Sequence, residues 1–379
     1  MGRPKLAFYA PLKSPHHPTP SGDRLLARLL LKALEQANFE PELASSFRSY
    51  EGKGDASRQQ RLKSTGQRLA QRLVRRYLRL PPSQRPKLWF TYHLYHKAPD
   101  WIGPIVCDAL KIPYVVAEAS YAKKQSQGPW QHGLSDCAAA LKQAATIFCL
   151  NPKDQLGITQ CVANAPLKTL APFLDLTPFT ALAPTERQVI AQQYNLDPLQ
   201  PWLICVAMMR PGDKQHSYQL LGKALQQSSQ QPWQLLIVGD GSARGNIERD
   251  FQPLTERVRF IGQQTQAQIL PLLKASDLFV WPAVNEAFGM ALLEAQAVGT
   301  AVLAGDEGGV SSVIKQGQSG WLVTQRDSRA FATKLNQLLQ NPAAIAKAGD
   351  KAQRRVQQHH SLDKAGEQLQ QQLMPLIRS

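Results

Sequence analysis

Short apolar runs alternate with longer amphipathic stretches along most of this 379-residue chain. The runs are stopped by proline, glycine or polar residues, and they lack the in-and-out alternation of a half-exposed strand, as expected of parallel strands covered on both faces. The pattern predicts strands over 6–10, 88–92, 114–117 and 146–150, with helices over 25–38, 59–80, 102–110 and 133–145. A segment rich in proline and threonine, 166–184, interrupts the pattern and is expected to carry an interdomain hinge. A second series follows, with strands over 202–207, 235–238, 258–261, 278–281 and 301–304 and helices over 218–227, 266–274, 290–297 and 328–340. Alternating strands and helices argue for βαβ units in both halves. The length agrees, since a chain of this size exceeds what one core usually serves.

Composition changes the picture in one respect. The net charge of +16 concentrates between Arg48 and Lys87, where the basic residues face only Glu51 and Asp55. Leu62, Leu69, Leu73 and Leu80 recur there at helical intervals, with Val74 and Leu78 beside them, so the segment reads as a basic amphipathic helix. It is either a solvated face packed on its own domain or a docking surface for an anionic membrane, where each Lys or Arg contributes about 1 kcal/mol. Nucleic acid is not expected, because the segment lacks the interleaved aromatic residues that base stacking requires. The five cysteines (Cys107, Cys137, Cys149, Cys161, Cys205) have no paired metal spacing and read as reduced thiols. No apolar run approaches the ~20 residues of a membrane span and no signal-peptide pattern opens the chain, so a cytoplasmic location is expected, with possible peripheral attachment to the inner face of the cytoplasmic membrane.

The densest chemistry lies in Asn285-Glu286-Ala287-Phe288-Gly289-Met290 and on to Glu294. A buried strand followed by a loop and a helix start would aim the N–H groups of Phe288, Gly289 and Met290 at an anion such as a diphosphate, with Gly289 permitting close approach. Glu294 lies eight positions beyond Glu286, about two helical turns, and a carboxylate there can accept two hydrogen bonds from a ribose diol. Read on spacing alone, the pair is equally two solvated glutamates of an amphipathic helix. Arg210 and Lys214, after the strand at 202–207, supply two cations for a leaving diphosphate or else decorate a solvated Pro-Gly-Asp turn.

These residues resemble the retaining glycosyltransferases of family 4 (glycosyl transferases group 1), in which Phe-Gly follows the first glutamate of a Glu-x7-Glu pair, as in Glu286, Phe288, Gly289 and Glu294. The resemblance implies the GT-B fold: an α/β protein of two Rossmann-like, doubly wound parallel-sheet domains facing across a cleft. The expected division is 1–176 for acceptor binding, completed by a returning helix at 361–379, and 177–360 for the nucleotide-sugar. It implies that Glu286 lies by the donor sugar, Glu294 binds the ribose, and Arg210 and Lys214 hold the diphosphate. Gly239 and Gly241 are similar to the family's Gly-Asp-Gly loop, Ile261 ends a strand whose backbone contacts the base in relatives, and Gly22 resembles the glycine facing the donor phosphate. Ser21 or Asp23 in that loop equally suits the helix N-cap.

Two departures stand out. Where many relatives place a histidine after the strand at 114–117, this chain has Glu118-Ala119-Ser120, so Glu118 or Ser120 becomes the candidate for acceptor contacts, with His93 and His96 as the nearest imidazoles. The His93–His96 interval also suits a metal, but no third ligand cluster accompanies it, and no metal is expected. Ser312 stands where relatives often show glutamate. The implied activity is metal-independent transfer of a hexosyl group, with retention, from a UDP- or GDP-linked sugar to a hydroxyl of a saccharide or glycolipid acceptor, in envelope polysaccharide or glycolipid synthesis, with no other cofactor. The competing class is a noncatalytic basic membrane- or nucleic-acid-binding protein on a degenerate GT-B scaffold. An NAD-dependent dehydrogenase lacks support, since no Gly-x-Gly-x-x-Gly follows the first strand.

Overall fold

A computed structural model describes residues 2–19, 21–182 and 186–377; Pro20 of the glycine loop, Pro184 of the proline-rich segment and residues 378–379 of the expected last helix lie outside it. The chain divides into two compact units, residues 1–171 with 362–379, and residues 172–361.

The first unit is a six-stranded parallel sheet of β1 (Lys5–Tyr9), β2 (Glu40–Ser45), β3 (Leu88–Leu94), β4 (Tyr114–Ala119), β5 (Thr146–Cys149) and β6 (Leu167–Thr169), in the order β2-β1-β3-β4-β5-β6. The second has β7 (Trp202–Val206), β8 (Gln234–Val238), β9 (Val258–Gly262), β10 (Leu278–Trp281), β11 (Ala301–Gly305) and β12 (Gly320–Val323), ordered β12-β11-β10-β7-β8-β9 and again all parallel. Strand order reverses beside β1 in one sheet and beside β7 in the other. Loops leave in opposite directions there, and the gap between them is where such sheets take ligands.

The nine apolar runs are all strands, and the three strands that hydropathy misses, β2, β6 and β12, are edges. An edge strand such as Glu-Pro-Glu-Leu-Ala-Ser has one neighbour and no fully buried residue, so it carries no continuous apolar run. Part of the expected hinge segment is itself β6. The helices Pro152–Cys161 and Pro342–His359 also went unpredicted. Both begin with asparagine as N-cap followed by proline, which is a helix start as well as a turn signal.

The helix Leu362–Leu373 packs in the first unit against Gly22–Gln36, with Gln36 Nε2 donating to Asp363 Oδ1 at 2.9 Å. The basic helix runs over Ala56–Arg79, capped by Asp55, whose side chain accepts from the Arg58 N–H. Its buried stripe differs from the expected leucine stripe: it consists of Gln59, Gly66, Ala70, Leu73, Val74 and Tyr77, while Leu78 is exposed. Small residues are needed because Trp101 lies close over Gly66, where a Cβ would come within 2.9 Å of its own Cβ.

In the second unit, Pro342–His359 crosses the sheet so closely at Gly349 that a Cβ would run into the carbonyl oxygen of Gly299. Gly349→Ala is therefore expected to lower the stability of this unit by about 1–3 kcal/mol, measured as a shift in the urea midpoint. An unchanged midpoint would show that the helix can move away at no cost.

Candidate functional site

The expected site residues fall into two groups, one in each unit. In the second unit they gather at the C-terminal ends of β7 and β10. The chain leaves β7 through Ala207–Gly212 and enters the helix Asp213–Gln226, whose N-cap Gly212 has φ 86°. Lys214 thus sits in the first turn of a helix, not in a solvated turn. Its ammonium donates to Glu286 Oε2 at 2.5 Å and lies 5.3 Å from the centre of the Trp281 ring. Trp281, at the end of β10, donates its indole N–H to the same Oε2 at 3.2 Å. Trp281 is held edge-on by Tyr218, whose hydroxyl donates to the Ala207 carbonyl at 2.8 Å. Trp281 and Tyr218 were legible only as strand and helix residues, since neither belongs to a local motif.

Backbone shape completes the position of Glu286. Asn285 has φ 48° and donates from its side chain to Asp213 Oδ2 at 3.0 Å. The Gly309 N–H donates to the Glu286 carbonyl at 2.9 Å, and Gly308, at φ 72°, passes so close that a Cβ would collide with that same carbonyl. The helix itself spans Met290–Ala297 with Gly289 as its left-handed N-cap, φ 71°. Glu286 therefore lies in the loop just before the helix, as the sequence predicts, so the eight positions to Glu294 are not two full helical turns. The N–H groups of Phe288, Gly289 and Met290 meet no acceptor among the described residues.

Glu294 lies one turn inside that helix. Burial alone pushes its carboxyl up to about 7 from an ordinary 4.5, and no donor among the described residues reaches it. Arg210 stands apart from this cluster: it is exposed, and its guanidinium contacts Met208 Sδ at 3.0 Å. Gly239 and Gly241 have φ of 142° and 155°, and a Cβ on either would strike the carbonyl of Ala207 or Met209. Their glycine requirement is thus met by the protein's own backbone, which ties the β8 loop to the β7 loop through Met209 N–H to the Asp240 carbonyl at 2.9 Å. Ile261 lies in β9, whose Gly262 carbonyl accepts the Gly239 N–H at 2.8 Å. Ser312 turns inward, its hydroxyl on the Gly309 carbonyl. Nearby, Arg326 grips Glu307 through two hydrogen bonds of 2.7 and 3.0 Å, a pair with no sequence signal.

In the first unit, His93 near the end of β3 and Glu118 near the end of β4 lie side by side, because Tyr92 pairs with Ala117 and Leu94 with Ala119. Ser21, not Asp23, caps the helix Gly22–Gln36. Asp23 instead places Oδ1 3.2 Å from His93 Nδ1, with Glu118 Oε1 at 3.9 Å from the same nitrogen. Burial pulls the imidazole down, but Glu118, Asp23 and Asp154 together outweigh it and raise its pKa. Asp154, in the helix after β5, was missed; burial pushes it up to about 6 despite the imidazole. Gly22 has open space around it, so the fold itself does not demand glycine there. His96 is separated from His93 by the Tyr95 ring and meets Trp130 edge-on. Among the described residues no group of three His, Cys, Asp or Glu side chains is arranged to hold a metal ion.

Because the folded pKa of Glu294 exceeds its ordinary value, the folded chain takes up a proton between pH 4.5 and about 7, and stability falls as pH rises through that window. Glu294→Gln should gain in Tm relative to wild type as pH rises from about 4.5 to about 7, then hold level. A Tm difference independent of pH would show that the carboxyl is solvated.

The family Glycosyl transferases group 1 matches residues 186–355. A D-inositol 3-phosphate glycosyltransferase of Rhodococcus opacus is 28% identical over 201 residues, 50% of this chain and 44% of that protein. A GDP-mannose-dependent monoacylated alpha-(1-6)-phosphatidylinositol monomannoside mannosyltransferase of Corynebacterium glutamicum is 28% identical over 205 residues, 52% of this chain and 53% of that one. The chain thus spans about half the length of these curated relatives. Among solved structures, Anabaena Alr3699/HepE in complex with UDP superposes with a TM-score of 0.74 at 18% identity over 98% of this chain and all of that one. The sucrose-phosphate synthase of Thermosynechococcus elongatus gives 0.74 at 17% over 99% and 100%. Residues 186–355, most of the second unit, are thus similar to the glycosyl transferases group 1 family, and the two parallel-sheet units of the chain have the GT-B fold.

Proposed function

We propose that the chain transfers a hexosyl group, with retention, from a nucleoside diphosphate sugar to a hydroxyl of a saccharide or glycolipid acceptor. The observation that carries this reading is Glu286 fixed by Lys214 and Trp281 beside three unengaged N–H groups at a helix start. The N–H groups and the helix dipole suit a diphosphate, and Glu286 suits the sugar hydroxyls next to it. Glu294, desolvated and without a donor, suits a ribose diol. The donor-site role extends to Gly239, Gly241, Ile261, Phe288, Gly289 and Met290 through backbone groups. Lys214 already neutralises Glu286, so Arg210, which makes no ion pair among the described residues, is placed to follow the leaving diphosphate. With fixed charges and dipoles stabilising the developing charge, the reaction needs no side-chain nucleophile and no divalent metal.

Similar proteins support the donor class: two Anabaena Alr3699/HepE structures hold UDP with glucose and UDP-glucose, and the Corynebacterium relative is named for GDP-mannose. They leave the base open between UDP and GDP. For the acceptor, the Corynebacterium relative is named for a phosphatidylinositol monomannoside, which accords with the basic helix. On it Arg61, Arg68, Arg72, Arg75 and Arg79 recur at i, i+7, i+11, i+14 and i+18, all exposed and opposite the buried stripe, in a helix without one acidic residue. Such a row suits an anionic membrane surface and a peripheral, cytoplasmic-face enzyme in envelope polysaccharide or glycolipid synthesis.

A thermal-shift series of nucleoside diphosphates and their sugars, with and without magnesium, tests the donor reading. One nucleotide should stabilise the chain without metal, the effect should vanish in Glu294→Ala, and Glu286→Gln should retain nucleotide binding while losing ~100-fold or more in transfer. Absence of stabilisation by every nucleotide would leave a noncatalytic scaffold as the better account.

The membrane surface has its own test. Converting Arg68, Arg72 and Arg75 together to glutamine should abolish sedimentation with vesicles containing a third phosphatidylglycerol while leaving nucleotide stabilisation intact. Binding that persists in this variant would remove the helix from the reading.

A further inference from the structure

The second unit holds a set of cations that the donor chemistry does not use. They line an open cavity of about 430 Å³, formed by the C-terminal half of the helix Pro342–His359 and the turn before β12. Lys351, Arg354, Arg355 and His359 line it from the helix, at i, i+3, i+4 and i+8, and Gln318 and Ser319 line it from the turn. That spacing puts the cations on one helical face, while Ala348, Ala352 and Val356 are buried on the other. The helix is seated by Gly349 against the Gly299 carbonyl and by Gln353 Nε2, which donates to the Ala297 carbonyl at 3.2 Å. No carboxylate and no Phe, Tyr or Trp ring lines the cavity. Cations in the last turns of a helix complement its dipole, and exposed ones do so without desolvation. Arg355 is different: it is half-buried, its Nε is closed to solvent and has no acceptor among the described residues, and burial lowers its pKa from the ordinary guanidinium value. Burial likewise pushes the neighbouring His360 imidazole down to about 4, and the charges of Arg355 and His359 act in the same direction. A desolvated charge without a partner is destabilising until a group of opposite sign meets it. Ser319 is fully buried, and its hydroxyl accepts the Lys315 N–H at 3.0 Å while keeping its own proton to donate.

We propose that Lys351, Arg354 and Arg355 bind a phosphomonoester group in this cavity, with Arg355 as the anchor. A phosphate monoester carries close to two negative charges near neutral pH and three acceptor oxygens, so it can meet several cations at once. Guanidinium forks match such oxygens in pairs. A carboxylate would satisfy one cation and leave the others unpaired. Because the cavity has no Phe, Tyr or Trp ring on which a base could stack, the ligand is held by its phosphate and not by a base. A free phosphate ester and a phospholipid headgroup present the same chemistry, and the two sources are separable by experiment. The site is distinct from the donor cluster. Ser319 precedes Gly320, the first residue of β12, and the strands of this sheet are all parallel. The turn therefore lies at the edge opposite the strand ends that carry Lys214 and Glu286, and phosphate binding there does not depend on sugar transfer.

The experiment is ¹H–¹⁵N NMR of the arginine Nε–H groups in the full chain, with the Arg355 signal assigned by its loss in Arg355→Lys. Inorganic phosphate should move the Arg355 signal saturably, and sodium chloride at the same ionic strength should not. Lys351→Gln combined with Arg354→Gln, both exposed side chains, should weaken the phosphate response ~10-fold or more. The lipid source is read by sedimentation with phosphatidylcholine vesicles containing phosphatidic acid, in a chain that already carries Arg68→Gln, Arg72→Gln and Arg75→Gln so that the basic helix does not contribute. A saturable Arg355 response without vesicle binding assigns a free phosphate ester; vesicle binding that is lost on adding Lys351→Gln and Arg354→Gln assigns the headgroup. An Arg355 signal that responds to phosphate no more than to chloride, together with vesicle binding indifferent to Lys351 and Arg354, would overturn the proposal. So would a phosphate response undiminished in the Lys351→Gln, Arg354→Gln variant.

Discussion

The clusters at the strand ends of both units depend on where strand order reverses in a parallel sheet. All strands of such a sheet end on one edge, and loops from neighbouring strands normally leave on alternate helical layers without opening a gap. Beside β1 and beside β7 the next strand is added on the other side, so adjacent loops diverge. In the second unit that divergence separates the loop after β7 from the loop after β10 just enough for Lys214 and Glu286 to meet. In the first it sets Asp23, from the helix after β1, against His93 of β3.

The two places so formed have opposite electrostatic character, each understandable by itself. In the second unit, unengaged N–H groups and a helix start make a place for negative charge, and Glu294 is desolvated without a donor among the described residues. In the first, the carboxyls of Glu118, Asp23 and Asp154 surround one imidazole and raise its pKa against the effect of burial. A fold built from one repeated architecture therefore offers two chemistries, because the side chains at the strand ends are not constrained by the packing of the strands below them.

Glycine carries much of the precision, for two different reasons. Gly308 must be bare because the Glu286 carbonyl occupies the space of a Cβ, and Gly239 and Gly241 because the carbonyls of Ala207 and Met209 do. These contacts are within the protein. They lock one loop to the next before any ligand arrives, which is how short loops reach the positional accuracy that recognition requires.

The sequence by itself determined the architecture: two series of short apolar runs, each alternating with amphipathic helical stretches, read as two parallel sheets of strands covered on both faces. It also marked Glu286, Gly289 and Glu294, because a strand, a loop and a helix start are local and their residues lie close in the chain. The edge strands β2, β6 and β12 escaped, being half exposed. Only the tertiary structure decided that Lys214 neutralises Glu286 from 72 positions away, that Trp281 serves the same carboxylate, and that Asp23, Glu118 and Asp154 close on His93. Those meetings come from strand order and register, which long-range pairing sets and no local pattern of residues records.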